Sequence, residues 1–361
     1  MLRRVAETLT IAAAGGAALG LAGLPAGWLS GSIIAVAAAS IAGRPLLMPT
    51  LLMRAIFVLI GISLGAVVTP ESLHGVAAYP LSIAVLVVAI AVVGVAGARY
   101  LQLVHGWDKA SAYLAASPGA MSQVIVLAAE IGADLRAVAI VQTMRVIIIA
   151  VGLPIGLALL GLENTAARRS IGGPFEPSQL GELVVLVAGS GAVAALAHRV
   201  RFPGGLLFGA MVASGVLHGS GLIHAVMPWW AVNTAQVALG AVTGARFVNT
   251  PLRLLARFVA AAVGSFAVSG AVVAVFAAGL VSVLPVHVSE VLIAFAPGSV
   301  DAMMLLALAL NLDPVYVGAH HLTRILLVSV AMPLIARHGL RRDEVFVDED
   351  RPPIQAPRLE E

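Results

Sequence analysis

Ser117-Pro118-Gly119-Ala120-Met121-Ser122-Gln123 is answered 179 residues later by Ala296-Pro297-Gly298-Ser299-Val300-Asp301-Ala302. The same offset links Asp134 to Asp313, Gln142 to His321, Arg145 to Arg324 and Pro154 to Pro333. Gly61 and Gly65 meet Gly240 and Gly244 at that offset, and Pro25, Gly27 and Gly31 meet Pro203, Gly205 and Gly209 one residue closer. A period this long, held without insertion across so many landmarks, is the mark of a gene duplicated whole.

Composition names the solvent. The 361 residues are 60% hydrophobic and 11% charged, with a mean hydropathy of +1.02. Soluble globular domains carry about 25% charged residues, so the chain reads as an all-α, polytopic membrane protein. Apolar stretches run near 5–23, 27–42, 51–69, 76–98, 110–131 and 135–160. Their second-half counterparts run near 181–198, 203–218, 229–246, 256–284, 289–310 and 314–336. Segments 27–42 and 203–218 are shorter than the about 20 residues of a straight span, which implies tilt or local thinning. Arg3-Arg4 before an alanine-rich run looks like a secretory signal, yet 181–198 matches it before Pro203, so it reads as the first membrane helix. The chain has no cysteine, which excludes disulfides and thiolate chemistry. The net charge of +3 lies in arginines at helix ends, a topology signal and not a nucleic-acid surface.

Those arginines test orientation. If all twelve segments cross, Arg136, Arg199, Arg201, Arg246, Arg253 and Arg257 fall outside, against the positive-inside rule. If the Pro-Gly-broken segments 110–131 and 289–310 enter and return instead, every arginine and lysine flanking a segment becomes cytoplasmic except Arg168 and Arg169. Five crossings per half then make the second copy upside down, about ten transmembrane helices in all plus two broken or re-entrant elements. Inverted repeats are an architecture of secondary transporters. The alternative, in which the broken segments cross and another does not, keeps the inversion. The organisation read from the sequence is a first repeat at 1–160, a linker at 161–179, a second repeat at 180–338 and a polar cytoplasmic tail at 339–361.

Proline removes a donor and glycine loosens the chain, so a helix is expected to stop near Ala116 and restart near Gly119. Loose backbone at membrane depth is tolerated only where protein or water covers it, and a restarted helix offers free N–H groups to an anion. Pro118, Gly119, Ser122 and Gln123, with Pro297, Gly298, Ser299 and Asp301, are therefore candidate substrate-binding residues. Arg145 and Arg324 lie about ten residues beyond their helix starts, hence about 15 Å deep in a core about 30 Å thick. Gln142 and His321 share their helix faces. Two readings stand side by side: a pair of cationic arms around a central cargo, or guanidinium groups that cap the carbonyls of a broken helix. Asp301 stands where the first copy has Ser122, and it reads either as a proton carrier or as a dipole-complementing residue. Glu130 reads as interfacial, and Asp134 and Asp313 as N-caps. His321 is a second candidate proton relay beside Arg324. No histidine spacing suits a metal, and no metal or other cofactor is expected. The glycine pairs read as close helix contacts.

The Leu24-Pro25-Ala26-Gly27 and Phe202-Pro203-Gly204-Gly205 helix starts, the Pro118-Gly119 and Pro297-Gly298 breaks, and the Gln142/Arg145 and His321/Arg324 faces resemble the AbrB-type bacterial membrane proteins, a family with internal duplication. Members are labelled ammonia monooxygenase or membrane regulator. The first label implies a copper or iron centre, for which the sequence offers no ligand cluster, so an enzyme is not expected. The second implies an influence on gene expression that cannot be direct, since no cytoplasmic segment is long enough for a DNA-binding domain. The resemblance also implies a distant kinship with cation/proton antiporter and anion transporter folds. The expected function is a secondary transporter of a small anionic or zwitterionic metabolite, with protons as the candidate coupling ion; the alternative is a membrane sensor that binds without transporting. Expected partners are the small-molecule substrate and the lipid bilayer, with a homodimer as an open expectation and no direct nucleic acid. The expected location is the bacterial cytoplasmic (inner) membrane, with both termini cytoplasmic.

Overall fold

The computed structural model describes residues 1–68, 79–117, 121–162 and 172–339, with the side chains of 121–123 and 332–339 left aside. The first half runs α1 (Leu2–Leu21), α2 (Gly27–Ile41), α3 (Thr50–Gly65), α4 (Tyr79–His105), α5 (Lys109–Ala116), α6 (Met121–Glu130) and α7 (Leu135–Leu159). The second half runs α8 (Leu180–Arg199), α9 (Gly205–Gly219), α10 (Trp229–Gly244), α11 (Leu252–Val281), α12 (Val288–Phe295), α13 (Val300–Ala309) and α14 (Pro314–Gly339). No strand forms among the described residues. Tyr79–His105, Leu135–Leu159, Pro177–Arg199 and Leu252–Val281 are each long and apolar enough to cross a membrane. The described residues form an all-helical structure compatible with a membrane protein.

Helix boundaries recur at the sequence offset: α3 and α10, α5 and α12, and α6 and α13 begin and end 179 residues apart. Unusual backbone recurs as well. Positive φ occurs at Gly23 and Arg201, at Ala26 and Gly204, at Gly43 and Gly221, and at Gly132 and Asn311. Ala26 and Gly204 are the left-handed N-caps of α2 and α9.

The segment expected to end at 98 continues to His105, because Arg99 ends the apolar run without ending the helix. Gly106, at φ +66°, ends it: Trp107 N–H turns back to Leu101 O at 3.2 Å, a Schellman closure. Leu252 likewise starts its helix four residues before the expected 256. The loop parts 69–78 and 163–171 and the tail 340–361, which include Arg168 and Arg169, lie outside the described residues.

The halves interlock. α2 packs on α10, α3 on α9, and α4 on α11. Glycines set the first two crossings: a Cβ on Gly61 would stand 2.3 Å from Leu207 O, and on Gly65 2.3 Å from Met211 O. Gly240 and Gly244 repeat this against Leu29 O at 2.9 Å and Ile33 O at 2.8 Å. Helices gain little from hydrophobic burial when lipid is the alternative neighbour, so backbone-to-backbone contact of this kind supplies the packing.

Each broken segment folds back on itself. Ser111, in the first turn of α5, accepts the Asp134 N–H at 2.8 Å, and Asp134 caps α7 directly after α6. Glu290, in the first turn of α12, accepts the Asp313 N–H at 3.4 Å, just before α14. Entrance and exit of the α5–α6 and α12–α13 hairpins therefore lie at one level, and α7 and α14 run alongside them. The expected N-caps are in place: Asp134 Oδ1 accepts from Arg136 and Ala137 N–H, and Asp313 Oδ1 from Val315 and Tyr316 N–H.

Candidate functional site at the two helix breaks

At the second break α12 ends at Phe295, Ala296 and Ser299 are extended, and α13 resumes at Val300. At the first, α5 ends at Ala116 and α6 resumes at Met121. The restart is thus two residues later than the expected Gly119 and its counterpart Gly298. The cause lies in the backbone: Pro297 has no N–H, the Gly298 N–H turns back to Ala296 O at 2.8 Å, and Ser299 takes the extended N-cap conformation. Pro297 is buried and Gly298 contributes a carbonyl, not a free donor. Pro118 and Gly119, and the side chains of Ser122 and Gln123, lie outside the described residues.

Arg145 on α7 and Arg324 on α14 reach into these breaks, 5% and 2% exposed. Arg145 Nη1 donates to Ala115 O and Ala116 O at 3.3 and 3.2 Å, and Nη2 to Ser117 O at 3.0 Å. Arg324 Nη1 donates to Ala296 O, and Nη2 to Gly298 O at 2.7 Å. Both cap the carbonyl end of the first half-helix, where the helix dipole favours a cation. Beside them, Gln142 Nε2 donates to Leu114 O at 2.8 Å, and His321 Nε2 meets Ile293 O, the equivalent carbonyl, at 3.1 Å.

His321 has no spare nitrogen. Its Nδ1 lies 2.6 Å from Arg324 Nη2, a permanent donor, so Nδ1 accepts and Nε2–H donates to Ile293 O. A proton placed on Nδ1 would face the guanidinium N–H. That geometry removes the reason for expecting His321 to carry the coupling proton.

Among the described residues no carboxylate lies within ion-pair distance of either arginine; the ion pair formed there is Arg44–Glu7, at 2.6 Å on the surface. The Arg145 and Arg324 charges repel each other, adding to the cost of burying them. Among the described residues, carbonyl dipoles and the His321 imidazole face the two charges, and Arg145 Nε, Arg324 Nε and Ser299 Oγ are buried without a hydrogen-bond partner. Ser299 is the N-cap of α13 and forms no side-chain cap there, so the first N–H groups of that helix stay open. Asp301 stands in the first turn of α13, partly buried. A cavity of about 10 Å³, walled by Leu86, Ala89, Val93, Phe295, Pro297 and Arg324, opens beside this break. It holds about one water.

Four further residues, none singled out by spacing, gather next to the second break: Tyr79 and Ser82 on α4, and Tyr316 and His320 on α14. Ser82 Oγ lies 2.6 Å from Tyr316 Oη and 2.7 Å from His320 Nε2. Their counterparts at the 179-residue offset are Phe258, Ala261, Ala137 and Val141, all apolar. Comparing the copies for difference, not identity, is the signal that finds them.

The chain is 25% identical to "Uncharacterized protein YhjN" of Bacillus subtilis (strain 168), covering 93% of this chain and 94% of that one. It is 27% identical to "Putative regulator AbrB" of Escherichia coli (strain K12), covering 87% and 90%. No solved structure matches. A family model described as transition state regulatory protein AbrB matches residues 28–339, and the chain belongs to the AbrB family.

Proposed function

We propose that this protein is a secondary transporter of a small anionic or zwitterionic metabolite in the bacterial cytoplasmic membrane. The observation that carries the reading is the pair of buried guanidinium groups, Arg145 and Arg324, one at each helix break, with no carboxylate among the described residues within ion-pair distance of either. Buried charges are ordinarily paired; a site with two unpaired cations and an uncapped helix N-terminus is chemically complete when an anion sits in it. In this reading Arg145 and Arg324 orient the cargo, while Ser299 and the first N–H groups of α13 hydrogen-bond it. In the first copy Ala120 stands at the offset of Ser299, while Ser122 and Gln123 stand at those of Asp301 and Ala302 and supply polar side chains there.

The hairpins support a membrane topology for this reading. With α5–α6 and α12–α13 returning to the side they entered, α1, α2, α3, α4 and α7 make five crossings, as do their counterparts. An odd number inverts the second copy, and inverted repeats meet at the midplane, where such transporters bind their cargo. The water-sized cavity beside Arg324 is smaller than any metabolite. Cargo entry therefore requires α4 and α11, which line it through Leu86, Ala89 and Val273, to move away from α12.

The printed descriptions of the family and of the Escherichia coli relative favour a second reading, a regulator that senses the same ligand and signals without moving it. Uptake by liposomes separates the two. Purified protein challenged with radiolabelled phosphate, sulfate, dicarboxylates and amino acids is expected to accumulate at least one probe saturably, above protein-free liposomes. Arg324→Lys should cut the initial rate about tenfold, equivalent to about 1.4 kcal/mol. Probe binding with no accumulation would sink the transporter reading and leave the sensor.

A further inference from the structure

His320 is fully buried, as is Ser82, and Tyr316 is 2% exposed. His320 Nδ1 lies 2.7 Å from Tyr316 O, a carbonyl that only accepts, so Nδ1 carries the proton and Nε2 is the acceptor. Ser82 must then donate to Nε2, and its oxygen must accept from Tyr316 Oη–H. The order Tyr316 O–H, Ser82 O–H, His320 Nε2 is thereby fixed, with every donor pointing inward to the imidazole. Tyr79, Tyr316 and Phe295 surround the ring, their centroids 6.1, 4.1 and 5.7 Å from it.

The outer end of this chain, Tyr316, lies against the ring of Tyr79. Tyr79 Oη donates to Asp313 Oδ2 at 3.2 Å, its ring packs edge-on against Tyr316 at 5.4 Å, and Glu290 lies across the Asp313 N–H. Asp313 lines an open cavity of about 220 Å³ with Val67, Leu308, Asn311, Leu312 and Pro314, room for several waters. The inner end adjoins the substrate site, since His321 follows His320 and holds Arg324. The charged and ionisable groups around His320 are Tyr316, His321, Arg324 and Asp313 on and before α14, Tyr79 on α4 and Glu290 on α12.

We propose that His320 is the coupling-proton site of this protein, loaded through Tyr316 and Ser82. This deepens the proposed transport function and rests on it for the word coupling, but the proton site itself stands separately. A proton arriving on Tyr316 Oη releases that hydroxyl's own proton to Ser82 Oγ. The Ser82 proton passes in turn to His320 Nε2, so one O–H bond forms for each that breaks and the imidazole gains one positive charge. The imidazolium lies two residues' reach from Arg324, and a third cation there strengthens the demand for an anion. Proton and anion would thus be bound together, as symport requires. The first copy, with Ala137, Val141, Ala261 and Phe258, has no such path; a polar cluster that only held the fold together would be needed twice.

The test is nitrogen NMR of the full chain in nanodiscs, with all histidines labelled and His320 identified by the signals lost in His320→Gln. His320→Val, which installs the residue of the first copy, serves if the glutamine variant does not fold. The His320 signals are expected to pass from the neutral Nδ1–H tautomer to imidazolium as the pH is lowered. Ser82→Ala should displace the midpoint by about half a pH unit or more. A His320 ring that stays neutral down to the lowest pH at which the protein remains folded, or a midpoint indifferent to Ser82→Ala, overturns the proposal. Phosphate or dicarboxylate binding at fixed pH reports separately: binding kept while His320 fails to titrate leaves the anion site standing and removes only the proton site.

Discussion

Arg324→Ala is expected to lower stability by about 3 kcal/mol, and Arg145→Ala by less, when unfolding is followed in the same detergent. Removing Arg324 leaves Ala296 O, Gly298 O and His321 Nδ1 without their donor in a buried site. An unsatisfied buried polar group costs about 1–3 kcal/mol. Relief of the desolvated charge and of its repulsion from Arg145 offsets part of that sum. Arg145 makes three bonds of 3.0–3.3 Å to the carbonyls of Ala115, Ala116 and Ser117, longer than the 2.7 Å and 2.6 Å bonds of Arg324 Nη2. Its loss is therefore the milder one. Equal losses, or stabilisation by either alanine, would contradict the capping role. Arg→Lys keeps the charge but gives up the planar fork that serves several carbonyls at once, and should fall between.

Gly65→Val should be the more damaging substitution, with Gly61→Val close to it. The new Cβ on Gly65 meets Met211 O at 2.3 Å, Ser214 Cβ at 2.6 Å and Gly215 N at 2.7 Å. These are backbone or near-backbone atoms that cannot swing aside. α3 and α9 must separate, and with them the contact that ties the first copy to the second. Overpacking a fitted core costs about 1–3 kcal/mol where side chains can yield, so a loss above about 3 kcal/mol and poor recovery of folded protein are expected. Gly152, on α7, has nothing within 4 Å of an added Cβ. Gly152→Ala should be neutral or stabilising by up to about 1 kcal/mol. If Gly65→Val and Gly152→Ala behave alike, the interlocked packing is wrong.

Much of the architecture was legible because the sequence repeats itself. An offset that holds at Pro118/Pro297 and Asp134/Asp313 carries helix boundaries with it, and α5, α6, α12 and α13 fall where it puts them. Asp134 and Asp313 could be read as caps because capping is a local matter of one side chain and two or three N–H groups. The helix restart was misplaced by two residues because glycine's freedom suggests where a chain can turn, whereas the extended Ser299 decides where it does. That these segments return was legible in the arginine count, but the hydrogen bond that closes the second hairpin was not: Glu290 and Asp313 are 23 residues apart, and no periodicity brings a carboxylate to a particular N–H. Arg145 and Arg324 announced themselves by depth, but depth does not say what they touch. The Tyr79, Ser82, Tyr316 and His320 cluster stayed hidden because attention to matching positions passes over those where the copies differ. His321 drew notice in its place by lying three residues before Arg324, although both its nitrogens are engaged.

The central claim is that an anion completes the site between Arg145 and Arg324. Its most direct test is the thermal stability of the folded protein against phosphate, sulfate, dicarboxylates and amino acids at fixed pH, with Arg145→Lys and Arg324→Lys beside it. An anion at 100 times its Kd should stabilise the natural chain by about 2.7 kcal/mol, and both lysine variants should lose most of that gain. A panel with no stabilising anion, or a gain that survives in both variants, would contradict the account.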